Sequence, residues 1–197
     1  MPENKKYHWE YRAANGLTAA ETDGKMFIQG KAICFNVPSS GTVKIGNRVC
    51  TEVIRPTALD GCDLSNVLLK INHDQRGMTL ARTRNKSLQL ERRADGLYFK
   101  AELPDTQAGR DVYTTVKSGL MNDVSFGFRV SEQRFDRERN IRYVEKIPFV
   151  REISIVDDGA YQEAGVEAMR DYCMAEIGRE TSIDIRRKKI KLRTYWI

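Results

Sequence analysis

The sequence is poor in the residues that build metal sites and disulfides. Only two histidines occur among 197 residues, His8 and His73, and no histidine cluster exists to partner the cysteines. The four cysteines form no CxxC pair; they are Cys34, Cys50, Cys62 and Cys173. A zinc site is therefore not expected, and we expect no other metal or cofactor. Isolated cysteines of this kind are typical of reduced structural thiols in a cytosolic protein.

Long apolar runs and common catalytic signatures are also missing. The first fifteen residues, MPENKKYHWEYRAAN, have no apolar core of the signal-peptide type, and no later run approaches membrane-spanning length. These absences predict a soluble intracellular protein with no membrane partner. GxSxG, HExxH and a phosphate-binding glycine loop are absent too. No short motif therefore assigns a function by itself.

Basic residues are in excess but unevenly placed. The formal net charge is +6, and the run RRKKIKLR, residues 186–193, carries six basic residues in eight and no acid. Such a run is typical of a solvated tail. It is also compatible with an electrostatic contact to nucleic acid or to an acidic partner.

The residues that are present predict a mainly β protein. Hydrophobic residues make up 41% of the chain, which is enough for one core. Short β-prone segments follow one another as an antiparallel meander, with a hairpin signal at Asp95–Gly96. The segments of this meander, in the middle of the chain, are Val49–Ile54, Asn66–Asn72, Met78–Arg84, Ser87–Arg93 and Leu97–Leu103. Lys25–Val37 and Phe149–Val156 are further predicted strands. The pattern indicates an α+β fold, an antiparallel barrel, closed or nearly closed, surrounded by helices.

Two helices are predicted. Val112, Val116 and Leu120 recur at four-residue spacing, Asp105 can cap the helix, and Gly119 ends it. The second predicted helix covers residues 161–177. A polar hairpin with a turn near residues 137–140 lies between the two helices.

Ser125 has an unusual place in the segment GLMNDVSFGFRV, residues 119–130. Apolar residues alternate here with small or polar ones, as in a strand with one buried face. Ser125 falls on the face opposite Phe126 and Phe128, and Gly127 leaves room there for a substrate backbone. Ser125 is thus either a solvent-facing residue or a nucleophile that a substrate can reach.

A serine nucleophile needs a base, and usually a third group that orients the base. His73, at the end of a predicted strand, is the one histidine inside the predicted folded region, and histidine suits proton transfer near neutrality. Histidines at strand ends are also commonly packing or surface residues. His73 and Ser125 are therefore candidates whose spacing alone does not establish a serine hydrolase.

Glu152 is the candidate third member. It lies in an apolar strand, where strict alternation puts it on one face with Val150 and Ser154. A carboxylate there needs a partner, which is either an imidazole or a nearby arginine or lysine. Asp157 and Asp158, in the following turn, are the alternatives.

Several segments in order resemble one known family. They are GKAICFN, EVIRPTAL, INHD, LQLERRADGLYFKAELPDT, SGLMNDVSFGF and REISIVDDGAYQEAGVEAMR, and they span about Gly30 to Arg170. Their ordered combination resembles the prohead (capsid maturation) serine proteases of tailed bacteriophages. That family is distantly similar in fold to the assemblin proteases of herpesviruses, so the resemblance implies an antiparallel barrel surrounded by helices.

The resemblance also implies catalytic roles. His73 of INHD is expected to be the general base and Ser125 of SFGF the nucleophile. In the herpesvirus relatives a second histidine follows the serine at a strand like REISIV, and Glu152 occupies that place here. A Ser–His–Glu triad is therefore expected, with Asp157 as the alternative third member. The relatives bind the oxyanion with an arginine-bearing loop, which DDGAYQEAG lacks, so backbone N–H groups are expected instead.

The function implied is a serine endopeptidase that cleaves the scaffold domain or scaffold peptides of the major capsid protein, and itself, inside the assembling procapsid in the host cytoplasm. The expected partners are that capsid protein, its scaffold domain or a separate scaffold protein, and further copies of the chain in a homodimer or higher oligomer. Nucleic acid is not an expected partner, although the basic run at residues 186–193 leaves it open. The alternative is a non-catalytic capsid- or scaffold-binding module with the same barrel.

Three parts of the chain are expected. Residues 1–22 form a flexible N-terminal segment, residues 23–177 form the protease barrel domain, and residues 178–197 form a basic tail.

Overall fold

The structure, a computed structural model, describes residues 10–39, 42–45 and 48–157. In these ranges it is mostly β, with one α-helix and two short 3-10 turns at Pro56–Leu59 and Thr83–Asn85. The helix α1 spans Gln107–Lys117. The strands are β1 (Glu10–Asn15), β2 (Thr18–Thr22), β3 (Lys25–Cys34), β4 (Val43–Ile45), β5 (Arg48–Ile54), β6 (Leu68–Ile71), β7 (Ala81–Arg82), β8 (Leu88–Arg93), β9 (Gly96–Glu102), β10 (Asp123–Phe128), β11 (Glu132–Asp136), β12 (Ile141–Lys146) and β13 (Val150–Val156).

The strands form three sheets. One has the order β1-β10-β13-β6-β7, the second β11-β12-β5-β4 and the third β2-β3-β9-β8. One large core lies between the elements, and its apolar side chains come from all three sheets and from α1. The first sheet carries the segments that the sequence analysis singled out for catalysis.

Most neighbouring strands are antiparallel, as the sequence predicted, but two pairs are parallel. These are β12 with β5 and β13 with β6. The expectation of an antiparallel architecture is wrong for these pairs. Parallel neighbours need a long connection between them, and the members of each pair are here separated by several other strands. Local sequence patterns cannot reveal such pairings.

Helix α1 confirms the helix predicted before Gly119. Its N-terminal cap is Thr106 rather than Asp105, because the Thr106 hydroxyl accepts a hydrogen bond from the backbone N–H of Gly109 at 3.2 Å. Val112 and Val116 pack into the core, but Leu120, the third residue of the predicted spacing, lies beyond the end of the helix and is exposed, so the prediction is wrong for that residue. Gly119 follows the helix with φ +78°, a left-handed conformation that glycine adopts freely.

A β-bulge between β10 and β13 changes which residues reach the core. Gly127 pairs with Glu152, but Phe128 pairs with Val150, so Arg151 is the extra residue. Val150 therefore joins the core with Phe128, and the expectation that it shares a face with Glu152 is wrong. The bulge lets a charged residue and a core residue occupy neighbouring positions of one strand.

The N-terminal region is more ordered than the sequence predicted. Strands β1 and β2 both lie within residues 10–22, where a flexible segment was expected. Strand β1 pairs with β10, and β2 pairs with β3, so the sheets begin at least as early as Glu10. Residues 1–9, the predicted second helix at 161–177 and the basic tail lie outside the described residues.

Within the described ranges, no helix has both the length and the apolar character needed to cross a membrane. The three cysteines in these ranges, Cys34, Cys50 and Cys62, form no disulfide with one another.

Candidate active site

Ser125 lies in the middle of β10, on the sheet face opposite Phe126 and Phe128. The two phenylalanine rings stack in the core with centroids 4.8 Å apart, because residues two apart on a strand share a face. Ser125 is only 6% exposed, so it is not a solvent-facing residue of an edge strand. Strands β1 and β13 flank it, with Ala13 and Ser154 directly opposite.

His73 lies in a tight loop that follows β6. Since β6 runs parallel to β13, its C-terminal end places this loop beside β13. Asn72 and His73 have φ values of +47° and +55°, a region that is unfavourable for residues other than glycine. Backbone hydrogen bonds from Asn72 to Ile155 and from Asp74 to Ile71, both 2.9 Å, hold this conformation. Strained backbone of this kind is often concentrated at functional sites.

The structure brings together the three residues singled out in the sequence. The Nε2 atom of His73 lies 2.7 Å from the Oγ atom of Ser125. Its Nδ1 atom lies 2.8 Å from the Oε1 atom of Glu152. Because an ionised carboxylate only accepts hydrogen bonds, Nδ1–H must donate to Glu152, which leaves Nε2 of the neutral ring to accept from the Ser125 hydroxyl.

Glu152 is fully buried, yet its carboxylate is well stabilised. Its second oxygen, Oε2, accepts a hydrogen bond from the side-chain amide of Gln75 at 2.6 Å. Burial by itself would raise the pKa of the carboxyl, but the hydrogen bonds from His73 and Gln75 and the nearby charge of Arg151 hold that pKa below its usual value. Glu152 therefore stays ionised at neutral pH.

Asp157, the alternative third member, is engaged elsewhere. Its carboxylate accepts a hydrogen bond from the Asn72 side chain at 2.9 Å, and its backbone N–H donates to the same amide at 3.3 Å. Asp157 thus anchors the beginning of the loop that carries His73. Asp158 lies outside the described residues.

The space above Gly127 is occupied by protein. The Tyr11 ring on β1 lies against the His73 imidazole, with centroids 4.3 Å apart. A Cβ atom on Gly127 would lie 2.9 Å from the Tyr11 ring and 3.1 Å from Cγ of Glu152. The expectation that Gly127 makes room for a substrate backbone is therefore wrong. Gly127 instead lets Tyr11 and Glu152 pack over the strand.

A second group of charged residues, which we call the ionic cluster, consists of Glu10, Arg12, Glu52 and Arg142. Arg12 binds Glu52 at 2.6 Å, and Arg142 binds Glu52 at 2.5 Å and Glu10 at 2.8 Å. Burial would raise the pKa of Glu10, but Arg142 and Arg12 hold it below its usual value. The cluster joins β1 to β5 and β12. Because residues alternate along β1, Tyr11 points to the other side, toward His73.

Patterns in the sequence do not indicate Gln75, Tyr11 or the ionic cluster. Gln75 lies two positions after His73 in a polar loop, and Tyr11 lies in a segment that was expected to be flexible. No local period marks either residue. Strand order brings Tyr11 to His73 and brings Glu152 to Gln75.

The arrangement can activate a hydroxyl group for nucleophilic attack. An imidazole that is hydrogen-bonded to a serine on one side and to a buried carboxylate on the other can take the serine proton and hold the resulting charge. Among the described residues, no group of three or more histidine, cysteine, aspartate or glutamate side chains is placed to hold a metal ion.

A protein-family model described as caudovirus prohead serine protease matches residues 15–177, most of the chain. The chain belongs to that family. It is therefore a serine peptidase of phage capsid maturation, as the resemblance of its motifs implied. The match covers the residues that form the Ser125–His73–Glu152 arrangement.

A solved structure supports the fold of the prohead protease. The capsid assembly protease gp21 of bacteriophage T4 superposes with a TM-score of 0.51 at 11% sequence identity, covering 77% of this chain and 98% of that chain. At that identity the likeness concerns the fold alone. No curated protein sequence matches the chain.

Proposed function

We propose that Ser125, His73 and Glu152 form the catalytic triad of a serine endopeptidase that cleaves the scaffold domain or scaffold peptides of the major capsid protein. The observation that carries this proposal is the continuous pair of hydrogen bonds, 2.7 Å from Ser125 to His73 and 2.8 Å from His73 to Glu152. Both lie at the optimum for strong hydrogen bonds. A non-catalytic binding module would have no need to keep three such residues in contact.

The reaction is acyl transfer. Ser125 Oγ attacks the carbonyl carbon of the scissile peptide bond while its proton passes to Nε2 of His73. The imidazolium then gives that proton to the leaving amine as the C–N bond breaks. Water then attacks the acyl carbonyl carbon as the same imidazole takes its proton, and the imidazolium returns that proton to Ser125 Oγ as the ester bond breaks. Throughout, Glu152 accepts the hydrogen bond from Nδ1–H of His73 and stabilises the positive charge of the imidazolium.

The finer features of the fold and site are part of the same proposal. The sheets close, or nearly close, into a barrel related to the herpesvirus assemblin proteases, and the protease domain extends to residue 177. Backbone N–H groups bind the oxyanion; most of the segment DDGAYQEAG lies outside the described residues. The partners are the major capsid protein with its scaffold, and further copies of the chain. The enzyme also cleaves itself, and it acts inside the procapsid in the host cytoplasm.

Co-expression with the cognate capsid protein tests the proposal. We expect wild-type enzyme to cleave the capsid precursor and Ser125→Ala to leave it intact, with N-terminal sequencing of the products locating the cut. The matched control is Ser154→Ala on the neighbouring strand. Its buried hydroxyl has no hydrogen-bond partner among the described residues, so its removal should cost little. The control should process the precursor normally.

Two results would overturn the proposal. Processing by Ser125→Ala would remove the nucleophile assignment. Binding of the capsid precursor by the wild-type enzyme without any cleavage would instead favour the non-catalytic module. Mass measurement of the purified protease after incubation tests self-cleavage, since an unshortened chain would exclude it.

A further inference from the structure

The side-chain amide of Gln75 bridges two parts of the candidate site. Its Nε2 atom donates to Oε2 of Glu152 at 2.6 Å and to the backbone carbonyl of His73 at 3.2 Å. A primary amide nitrogen carries two protons. Each proton has an acceptor here. One acceptor is the Glu152 carboxylate, and the other is the backbone carbonyl of His73, whose imidazole Glu152 orients.

The two acceptors are the parts of the site that most need to be held. Glu152 is buried, and with one oxygen given to His73 its other oxygen requires a donor. The His73 backbone has φ +55°, a conformation that the chain does not favour by itself. One amide group therefore fixes the Glu152 carboxylate and the backbone of His73 relative to each other.

The chemistry of glutamine suits this position. An arginine or lysine would bring a positive charge beside Glu152 and would compete with the imidazolium for the carboxylate. A glutamate would add a second negative charge and could not donate when ionised. The neutral amide supplies both protons and leaves the charge of Glu152 to His73.

The loop itself does not depend on Gln75. Asn72 anchors its beginning through Asp157. Lys70, on β6, anchors its end by donating from Nζ to the Gly77 carbonyl at 2.5 Å. Gln75 is also exposed at its position in the loop. Its removal should therefore leave the loop folded and disturb the carboxylate that it binds.

We propose that Gln75 is a positioning residue of the prohead protease, which acts through Glu152 to hold the His73 imidazole in the geometry that activates Ser125. This proposal rests on the proposed triad and adds a fourth residue to it. The amide does not touch the substrate or the reacting atoms.

A fluorophosphonate probe tests the role without knowledge of the cleavage sequence. Ser125 Oγ displaces fluoride from phosphorus as its proton passes to His73, so the maximal labelling rate reports activation and the half-saturating probe concentration reports binding. We expect Gln75→Met, which has the same length and no donor, to lower the maximal rate about tenfold, because a hydrogen bond to a charged group is lost. The half-saturating concentration should stay unchanged. Arg76→Met, the next exposed residue of the loop, is the matched control and should label like wild type.

A double-mutant cycle separates positioning from a general effect on the loop. If Gln75 acts through Glu152, the tenfold effect of Gln75→Met should disappear in a Glu152→Gln background. Gln75→Asn, which keeps the amide but withdraws it by one methylene, should resemble Gln75→Met. Gln75→Met leaves one oxygen of the buried Glu152 without its donor, so its thermal midpoint should fall below that of wild type, and labelling is compared at a temperature at which every variant is folded.

The outcomes are distinguishable. Equal maximal rates for Gln75→Met and wild type, with wild type labelled at Ser125, would overturn the role of Gln75 and leave the triad standing. A tenfold effect that persists in the Glu152→Gln background would also overturn it. A wild-type enzyme that is labelled no faster than Ser125→Ala would refute the triad, and the role of Gln75 with it.

Discussion

Two networks of polar and charged side chains lie on opposite sides of strand β1. Each contains a buried glutamate carboxylate that accepts hydrogen bonds, but the two networks contribute differently to the protein. On one side, the ionic cluster pairs two arginines with two glutamates; Glu52 is 2% exposed and Arg142 is 1% exposed. On the other side, Glu152 is equally buried, but its network leads through His73 to the neutral hydroxyl of Ser125. The His73 side chain is 25% exposed.

The difference lies in where each network ends. In the ionic cluster every carboxylate faces a guanidinium, and arginine does not release its proton in proteins. That network contains neither an imidazole nor a hydroxyl group, so its contribution is to hold β1 against β5 and β12. The other network contains an imidazole, whose second ring nitrogen can take up a proton, and it ends on a hydroxyl group whose proton can leave. Equal burial and similar distances therefore give a structural element in one case and a candidate catalyst in the other.

The largest expected effect is a loss of activity when the network that contains Glu152 is changed. Glu152→Gln should lower the rate of precursor cleavage by roughly 10³–10⁴-fold, because an amide in this place favours the wrong imidazole tautomer. The folded structure should persist, since the side chain keeps its size. Cleavage assays with protein of verified fold measure this. A rate near that of wild type would point to Asp157 or to a dyad of Ser125 and His73.

The second expected effect is a loss of stability when the ionic cluster is changed. Arg142→Met should lower the free energy of unfolding by about 3–5 kcal/mol, because it leaves buried carboxylates short of a partner. Urea titration measures this. The matched control is Lys146→Met on the same strand, whose pair with Glu132 at 3.4 Å is on the surface. The control should change stability by less than about 1 kcal/mol. An equal loss in both variants would remove the distinction between the buried cluster and surface pairs.

The smallest expected effect is a pH dependence of stability. Folding lowers the pKa of Glu10 below its ordinary value of 4.5, so the unfolded chain binds protons more readily than the folded one. This contribution is fully present above pH 4.5 and is lost as pH falls through the lower value of the folded state. Glu152 contributes with the same sign.

Thermal unfolding between pH 6 and pH 3 measures this dependence. Glu10→Gln should be less stable than wild type at pH 6 and should lose less stability as the pH falls. Parallel curves for the two proteins would show that Glu10 does not contribute.

Local patterns in the sequence predicted the elements that depend on neighbours along the chain. Four-residue spacing predicted helix α1, and its end at Gly119 is confirmed. The Asp95–Gly96 signal predicted the hairpin of β8 and β9, and alternation placed Ser125 opposite Phe126. These features follow from backbone periodicity, which a few consecutive residues reveal.

The candidate site could be predicted in part. The motifs indicated Ser125, His73 and Glu152. Spacing left Asp157 as an alternative to Glu152 for the third member of the triad, and it did not indicate Gln75. His73 and Ser125 are 52 positions apart, and Gln75 and Glu152 are 77 apart. Contacts over such separations depend on which strands become neighbours and in which register. The parallel pairing of β6 with β13 sets the beginning of the His73 loop beside Ile155, near the end of β13, and the His73 side chain reaches Glu152 from there.

The sequence by itself determined the family of the protein, most of the described strands, helix α1 and the face on which Ser125 lies, because each depends on local order or on motifs in the sequence. Only the tertiary structure decided that Glu152 rather than Asp157 meets His73, that Tyr11 and Glu152 fill the space above Gly127, and that Glu10 reaches Arg142, 132 positions away. The physical reason is the same in each case. A side chain's partner is set by strand order, register and bulges, which are properties of the packed chain as a whole.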